Sequence, residues 1–331
     1  MRSTIQRVFA LAVLVLGAMA AFAQDNRADE KPTSYRLAPQ SAADLQKLLR
    51  YSKDPLPLVS GHRGGAQKGY PENCIPTFEN TLRHTYALLE IDPRYTKDRQ
   101  IVILHDPTLE RTTTGHGKVT DFTLAELKEL RLKDPEGNTT EFKIPALDEV
   151  LDWARGRAIL VLDQKDVPVA ERVKAIERHK SEGYALMIVN SFADAQACYK
   201  ANPNIIMEVM IGTREKLADF EKLQIPWANV VAFVGHSPPD DLKLYEELHS
   251  HGVSCMIGTS RNLDRKFLSH EVKDISELES GYRSYLARGA DLIETDIPAA
   301  LGPLLYGKTA VPADRRSFFH PPAAVSEKEK K

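Results

Sequence analysis

Three cysteines in 331 residues, all far apart, leave no framework of staples, so a packed core has to hold this chain together. Cys198 falls in a helical pattern and Cys255 in a strand-like one, as buried small apolar side chains do; a bridge between these two stays open. No basic stripe offsets the acids, and a formal net charge of −2 excludes nucleic acid as the expected partner in favour of a small molecule. The apolar run at 8–20 is shorter than the ~18 to 20 residues of a spanning helix, so no stable membrane insertion is expected. Its flanks are those of an export signal: Arg2 and Arg7 precede it, and Ala21-Phe22-Ala23 supplies a cleavage site before Gln24. Residues 1–23 are therefore expected to be removed from a periplasmic or secreted protein, whose charge becomes −4 as Arg2 and Arg7 leave and no acid is lost. No cysteine stands near that point to carry a lipid.

What is present is enough apolar material for a large core, 42% of the residues against 27% charged. Residues 24–40 are polar and without period, which reads as a linker; Ser41 then caps a short helix with Leu45, Leu48 and Leu49 on one face. A first buried strand at 56–60 runs into Gly61-His62-Arg63-Gly64-Gly65, whose glycines let the backbone turn sharply and approach a ligand. Pro76 suits the first turn of a helix reaching about Tyr86. Strands follow at 88–92 and 100–105. The seven residues between them are too few for a parallel crossover, so the two are expected to form an antiparallel hairpin. With Lys97-Asp98 as the turn, Glu90 falls opposite His105, and Asp92 shares the face of Glu90.

Residues 106–143 are a polar insertion with a short helix at 123–130. Beyond them strands at 158–163, 185–190, 205–211, 230–234, 253–258 and 291–296 alternate with helices at 147–154, 169–179, 193–200, 214–223, 240–250 and 275–288. Such alternation implies an α/β fold with a parallel sheet under helices. About eight strands remain once the second hairpin strand is set aside, the number that closes a (β/α)8 TIM barrel over 56–312, with a small insertion after the second strand and its hairpin. An open doubly wound sheet competes, but it calls for a Gly-rich dinucleotide loop where His62-Arg63 stand. Residues 313–331, rich in Pro, Ala, Ser and Lys, read as a mobile tail.

In a barrel the carboxyl ends of the strands share one face. His62 and Arg63 follow the first strand, Glu90 and Asp92 end the second, His105 ends the hairpin, Asp163 and Lys165 follow the next, and Asp296 ends the last. Carboxylates gathered there form a cage for one hard divalent cation, Ca²⁺ or Mg²⁺. Without a cation they raise each other's pKa values. Two histidines suit a general acid and a general base, while Arg63 and Lys165 suit an anion, most simply a phosphate. Each residue alone has an ordinary structural reading: a histidine after a strand is usually a hydrogen-bonded loop residue, and Asp163 with Lys165 makes a plain ion pair. Glu90, however, stands among Leu88, Leu89 and Ile91, where a charge needs a partner. Convergence on one face is not something independent structural roles produce.

The ordered motifs His62-Arg63-Gly64, Pro71-Glu72-Asn73, Glu90-Ile91-Asp92, Thr96-Lys97-Asp98, His105-Asp106, Arg111-Thr112-Thr113, Ile144-Pro145-Ala146-Leu147-Asp148-Glu149-Val150-Leu151 and Asp163-Gln164-Lys165 resemble the glycerophosphodiester phosphodiesterase family. The resemblance is continuous from 58 to about 165 and weaker to 296. It implies a TIM barrel in which Glu90, Asp92 and Asp163 bind the metal and His62 and His105 are acid and base. It further implies that Arg63 and Lys165 steady the phosphate and that Glu72 contacts metal or substrate. The implied reaction is metal-dependent hydrolysis of a small glycerophosphodiester to an alcohol and glycerol 3-phosphate, with the substrate's own glycerol hydroxyl attacking first and water opening the cyclic phosphate. Alternatives are an exported relative acting on lysophospholipid or sugar-linked diesters, and a non-catalytic phosphate- or cation-binding barrel. Three positions depart from the family pattern. Asp163 and Cys74 stand where relatives carry Glu and Thr, and Val253-Ser254-Cys255-Met256-Ile257-Gly258 replaces an aromatic Trp-Thr motif of the pocket wall.

Overall fold

The computed structural model describes residues 33–53, 56–307 and 309–323; the expected export signal and the residues from 324 onward lie outside them. Eight parallel strands close into a barrel in chain order: β1 (Leu58–Gly61), β2 (Leu88–Ile91), β3 (Ile159–Leu162), β4 (Ala185–Val189), β5 (Met207–Met210), β6 (Val230–Gly235), β7 (Cys255–Gly258) and β8 (Leu292–Thr295). β8 returns to β1 with Glu294 beside Ser60. The strands are nearly continuous apolar runs because both faces are covered. Val59, Leu89, Ile91, Leu160 and Leu162 face the helices, while Leu58, Leu88, Ile159 and Val161 fill the barrel interior. The helix Leu147–Ala154 buries Leu147, Val150, Leu151 and Ala154, the i, i+3, i+4, i+7 stripe that its sequence predicts.

Both chain ends described here close the bottom of the barrel. The stretch read as a linker pairs Arg36–Leu37 antiparallel with Phe319–His320, so the supposed tail from 313 is held in place at least through that pairing. Leu37, Leu45, Leu48, Phe318 and Phe319 join the inner-barrel side chains in one cluster, each such burial contributing about 1.5–3 kcal/mol. Arg315 donates to Leu48 O at 3.0 Å and Arg50 O at 2.5 Å. Composition hid this because Phe318-Phe319 is a short apolar island in a Pro- and Lys-rich context.

The hairpin forms, but outside the barrel and one residue out of the expected register. Pro93–Tyr95 pairs with Ile101–Ile103, Pro93 lying opposite Ile103. The turn takes three residues, Lys97-Asp98-Arg99, with Arg99 at φ 60° and Thr96 N–H on Gln100 O at 2.9 Å. Glu90 therefore stays in β2 and does not pair with His105. Helices Leu263–Leu268 and Pro298–Tyr306 were not anticipated; the second carries Gly302 and Pro303, which read as loop residues. The expected helix at 275–288 starts as a 3₁₀ turn, Ile275–Leu278, before Glu279–Ala287.

The insertion has its own small core, in which Leu104, Leu109, Val119, Leu127, Leu132 and Ile144 pack with Cys74 and Val102. Cys74, Cys198 and Cys255 are all free and buried. Among the described residues no helix is long and apolar enough to cross a membrane.

Candidate active site

A cavity of 430 Å³ opens at the carboxyl ends of the strands and is lined by His62, Arg63, Glu90, His105, Asp163 and Lys165. β1 reaches it through a 3₁₀ turn, His62–Gly64, in which Arg63 takes left-handed backbone angles, φ 52° and ψ 28°. Gly64 follows at φ 83°, where a Cβ would stand 2.3 Å from the Phe78 ring, so only glycine fits. The strained turn aims the Arg63 N–H at Glu90 Oε2, 2.7 Å away, and so couples β1 to β2.

Each of the two histidines is set by an aspartate. His62 Nδ1 meets Asp296 Oδ1 at 2.6 Å, and His105 Nδ1 meets Asp106 Oδ1 at 2.8 Å, which leaves Nε2 of both rings for the cavity. Burial opposes a charge on His62, yet the bond to Asp296 and the nearby Glu294 outweigh it and raise the pKa above its ordinary value. Asp296 is itself held by Asp264, whose Oδ2 accepts from Asp296 N–H at 2.7 Å and from Thr295 Oγ1 at 2.9 Å.

Glu90, Asp92 and Asp163 bring ligand oxygens within 4.8 Å of one another. Burial, with Asp92 and Asp163 alongside, raises the Glu90 pKa well above the carboxylate range. Asp92 is also fully buried, but Lys165 and a 2.6 Å bond from Asn73 Nδ2 overcome that burial and lower its pKa. Lys165 Nζ lies 2.9 Å from Asp92 Oδ1 and also bonds Asp163 Oδ2; despite its burial, these two acids raise its pKa. A group of acids this dense, with one member driven toward protonation, suits a hard cation with oxygen ligands.

Glu72 does not line the cavity. Its carboxylate accepts from Arg63 Nη1 at 3.1 Å and from both terminal nitrogens of Arg111 at 2.8 Å, and Arg111 Nε in turn donates to Asp106 at 2.6 Å. His105, Asp106, Arg111, Glu72 and Arg63 thus form one connected chain that orients a histidine at one end and a guanidinium at the other. Arg111, chiefly through its side-chain bond, holds the Asp106 pKa far below the usual range.

Sequence reasoning missed Glu208 and Glu294, which line the cavity from β5 and β8. The signal was available: Met207-Glu208-Val209 and Ile293-Glu294-Thr295 place a charge inside a strand, as Leu89-Glu90-Ile91 does. Burial, with Glu294 and Asp163 nearby, drives the Glu208 pKa well up. Arg172 was missed too; it is wholly buried, and its Nη1 donates to Leu162 O at 3.0 Å and Ile188 O at 2.8 Å, tying β3 to β4 just before Asp163. A second set of potential metal ligands, His249, Cys255 and Asp291, sits at the opposite end of the barrel. There Asp291 Oδ2 is already engaged by His249 Nε2 at 2.9 Å and Cys255 N–H at 2.8 Å.

Residues 62–267 match the glycerophosphoryl diester phosphodiesterase family. A glycerophosphodiester phosphodiesterase of Bacillus subtilis (strain 168) is 32% identical over 192 residues, 54% of this chain and 59% of that protein, so the match spans less than two thirds of the relative. The crystal structure of a glycerophosphoryl diester phosphodiesterase from Parabacteroides distasonis is 41% identical with a TM-score of 0.82, covering 87% of this chain and 99% of that one. An Oleispira antarctica phosphodiesterase, solved with the product sn-glycerol-3-phosphate, shares the fold at 22% identity and a TM-score of 0.56, covering 76% and 97%.

Proposed function

The chain belongs to the glycerophosphoryl diester phosphodiesterase family, and from that premise we propose that it hydrolyses small glycerophosphodiesters to an alcohol and glycerol 3-phosphate. The observation that carries this reading is the pair of aspartate-set histidines, His62 and His105, lining one cavity with Arg63, Lys165 and a tight group of carboxylates. A phosphodiester has one negative phosphate to hold and one alkoxide to expel, and this set offers a group for each task.

Arg63 and Lys165 bind and orient the phosphate, the first as a fork and the second as a point charge. His62, with its raised pKa, carries a proton on Nε2 and delivers it to the leaving alkoxide oxygen. His105 Nε2 takes the proton of the substrate's own glycerol hydroxyl as that oxygen bonds to phosphorus and the bond from phosphorus to the leaving alcohol breaks, and Asp106 steadies the imidazolium that results; water then opens the cyclic phosphate to glycerol 3-phosphate, with the two histidines exchanging roles. Glu72 and Arg111 act as positioning residues that keep Arg63 and Asp106 in place. Glu90, Asp92 and Asp163 are the residues that would hold a divalent cation, Ca²⁺ or Mg²⁺. Their shared space and the raised Glu90 pKa fit that group. When bound, the cation supplies charge neutralisation for the phosphoryl oxygens.

Hydrolysis of glycerophosphocholine and related diesters, followed by product analysis, tests this directly. Turnover abolished by EDTA and restored by Ca²⁺ or Mg²⁺ is expected, with glycerol 3-phosphate among the products. Inactivity on every diester under all these conditions would overturn the proposal.

A further inference from the structure

The end of the barrel away from the active site gathers a histidine, a cysteine and an aspartate from three different elements. His249 comes from the last turn of the helix Lys243–Ser250, Cys255 opens β7 and Asp291 stands just before β8. Their ligand atoms lie within 4.8 Å of one another. Cys255 is fully buried and Asp291 is 5% exposed, and among the described residues no lysine or arginine forms an ion pair with Asp291. Arg315 reaches Asp291 through its charge, but its Nη atoms are committed to Leu48 O and Arg50 O.

A hydrogen-bonded clamp accounts for only part of this. His249 Nε2 and Cys255 N–H both bond Asp291 Oδ2, which ties the helix to the two strands, but neither bond uses the Cys255 thiol. Nor does the clamp use Tyr245, four residues before His249 on the same face of the helix. Tyr245 is 2% exposed, and its hydroxyl has no hydrogen-bond partner among the described residues. Burial, followed by the charges of Cys255 and Asp291, raises the pKa of that hydroxyl, so it stands beside the same pair. The ring is seated there by Gly289 at φ 121°, where a Cβ would lie 2.6 Å from Tyr245 Cγ. Tyr51 stacks on the His249 ring with centroids 3.6 Å apart and fixes its plane. Buried polar groups normally find a partner in the fold, and a tyrosine hydroxyl left open beside a thiol, an imidazole and a carboxylate points to a ligand from outside.

We propose that His249, Cys255 and Asp291 form a second metal site, separate from the active site, that binds Zn²⁺. A set of one nitrogen, one sulfur and one oxygen suits that ion, whereas Ca²⁺ and Mg²⁺ take oxygen ligands. Binding releases the thiol proton of Cys255 to solvent, and His249 shifts its own proton from Nε2 to Nδ1 so that Nε2 can ligate. His249 Nε2 and Asp291 Oδ2, now 2.9 Å apart, need only separate to roughly 3.3 Å, the spacing of two bonds of about 2.0 Å at a tetrahedral angle. The fourth position faces a pocket of 540 Å³ lined by Tyr51, Tyr245, His249 and Asp291, and the Tyr245 hydroxyl bonds the water that fills it. The site does not depend on the phosphodiesterase reading.

The test uses the full chain, stripped with a chelator and titrated with Co²⁺ in place of Zn²⁺. A thiolate on cobalt gives a near-ultraviolet charge-transfer band that oxygen and nitrogen ligands do not, so the active-site carboxylates cannot imitate it. Wild type is expected to show the band, to lose it when Zn²⁺ is added, and to keep it in Glu90→Gln. Cys255→Ser is expected to abolish it, and His249→Ala to raise the Co²⁺ concentration needed for half of it about tenfold or more. Thermal unfolding of each metal-free variant checks the fold; should Cys255→Ser fail to fold, His249→Ala, at a partly exposed position, decides alone. No band in wild type, a band that survives Cys255→Ser, a band lost in Glu90→Gln or a titration unchanged in His249→Ala overturns the inference and leaves the three residues as a hydrogen-bonded clamp.

Discussion

The two halves of the barrel mouth treat ionisable groups in opposite ways. On the side of β1 to β3, His62, Glu90, Asp92, His105, Asp163 and Lys165 each touch a partner supplied by the fold, and for His62, Glu90, Asp92 and Lys165 that partner lies on another element of the chain. On the side of β5 to β8, Glu208 keeps one buried carboxylate oxygen without a hydrogen-bond partner among the described residues, and Glu294 acts on His62 through its charge alone. Groups that move a proton or grip a phosphate gain from being preset, since reorganisation at the moment of reaction costs rate.

The largest expected effect lies on the preset side. His105→Ala removes a proton acceptor, and kcat is expected to fall about 10²- to 10⁴-fold with the fold unchanged. Wild-type turnover in that variant would show that the two halves do not divide as described. Next comes a change to the bottom of the barrel, far from both halves. Phe319→Ala leaves a void in the cluster that joins the two chain ends, and unfolding experiments should show about 3–5 kcal/mol lost while KM stays put. A changed KM would mean that the closed end and the mouth are coupled.

A smaller and sharper probe acts on pH. The His62 pKa is raised, so its proton persists above the ordinary histidine range and the donor is lost as pH rises through that raised value. Asp296→Asn removes the charge behind it, and the alkaline limb of kcat/KM is expected to move to lower pH. An unmoved limb would assign the proton donor to another group. The smallest effect expected is for Glu72→Gln, which weakens the grip on Arg63 and Arg111 without touching the cavity. KM is expected to rise several-fold, with kcat reduced less; a loss as large as that of His105→Ala would place Glu72 in the chemistry itself.

Much of this arrangement is legible in the linear order of residues. Alternating strands and helices fall within about three residues of their observed limits because apolar runs and 3.6-residue stripes are local properties. Glu90, Asp92, Asp163 and both histidines could be picked out as polar groups at the ends of such runs. Glu208 and Glu294 carry the same mark and were passed over because each looks like an isolated charge until the barrel closes. The hairpin register failed on one detail, Arg99 in a left-handed conformation that non-glycine residues seldom take, which lengthens the turn by one residue and shifts the pairing.

The sequence by itself determined the order of the barrel strands, the types of group at the strand ends and the family. Only the closed structure decided which group meets which: His62 is set by Asp296, 234 positions along the chain, and Asp296 by Asp264. It also decided that acids of β5 and β8 share the cavity with the histidines, the second near enough to His62 to raise its pKa. The physical reason is that periodicity and burial are written in neighbouring residues, whereas a hydrogen-bond partner across a barrel depends on how all eight strands close.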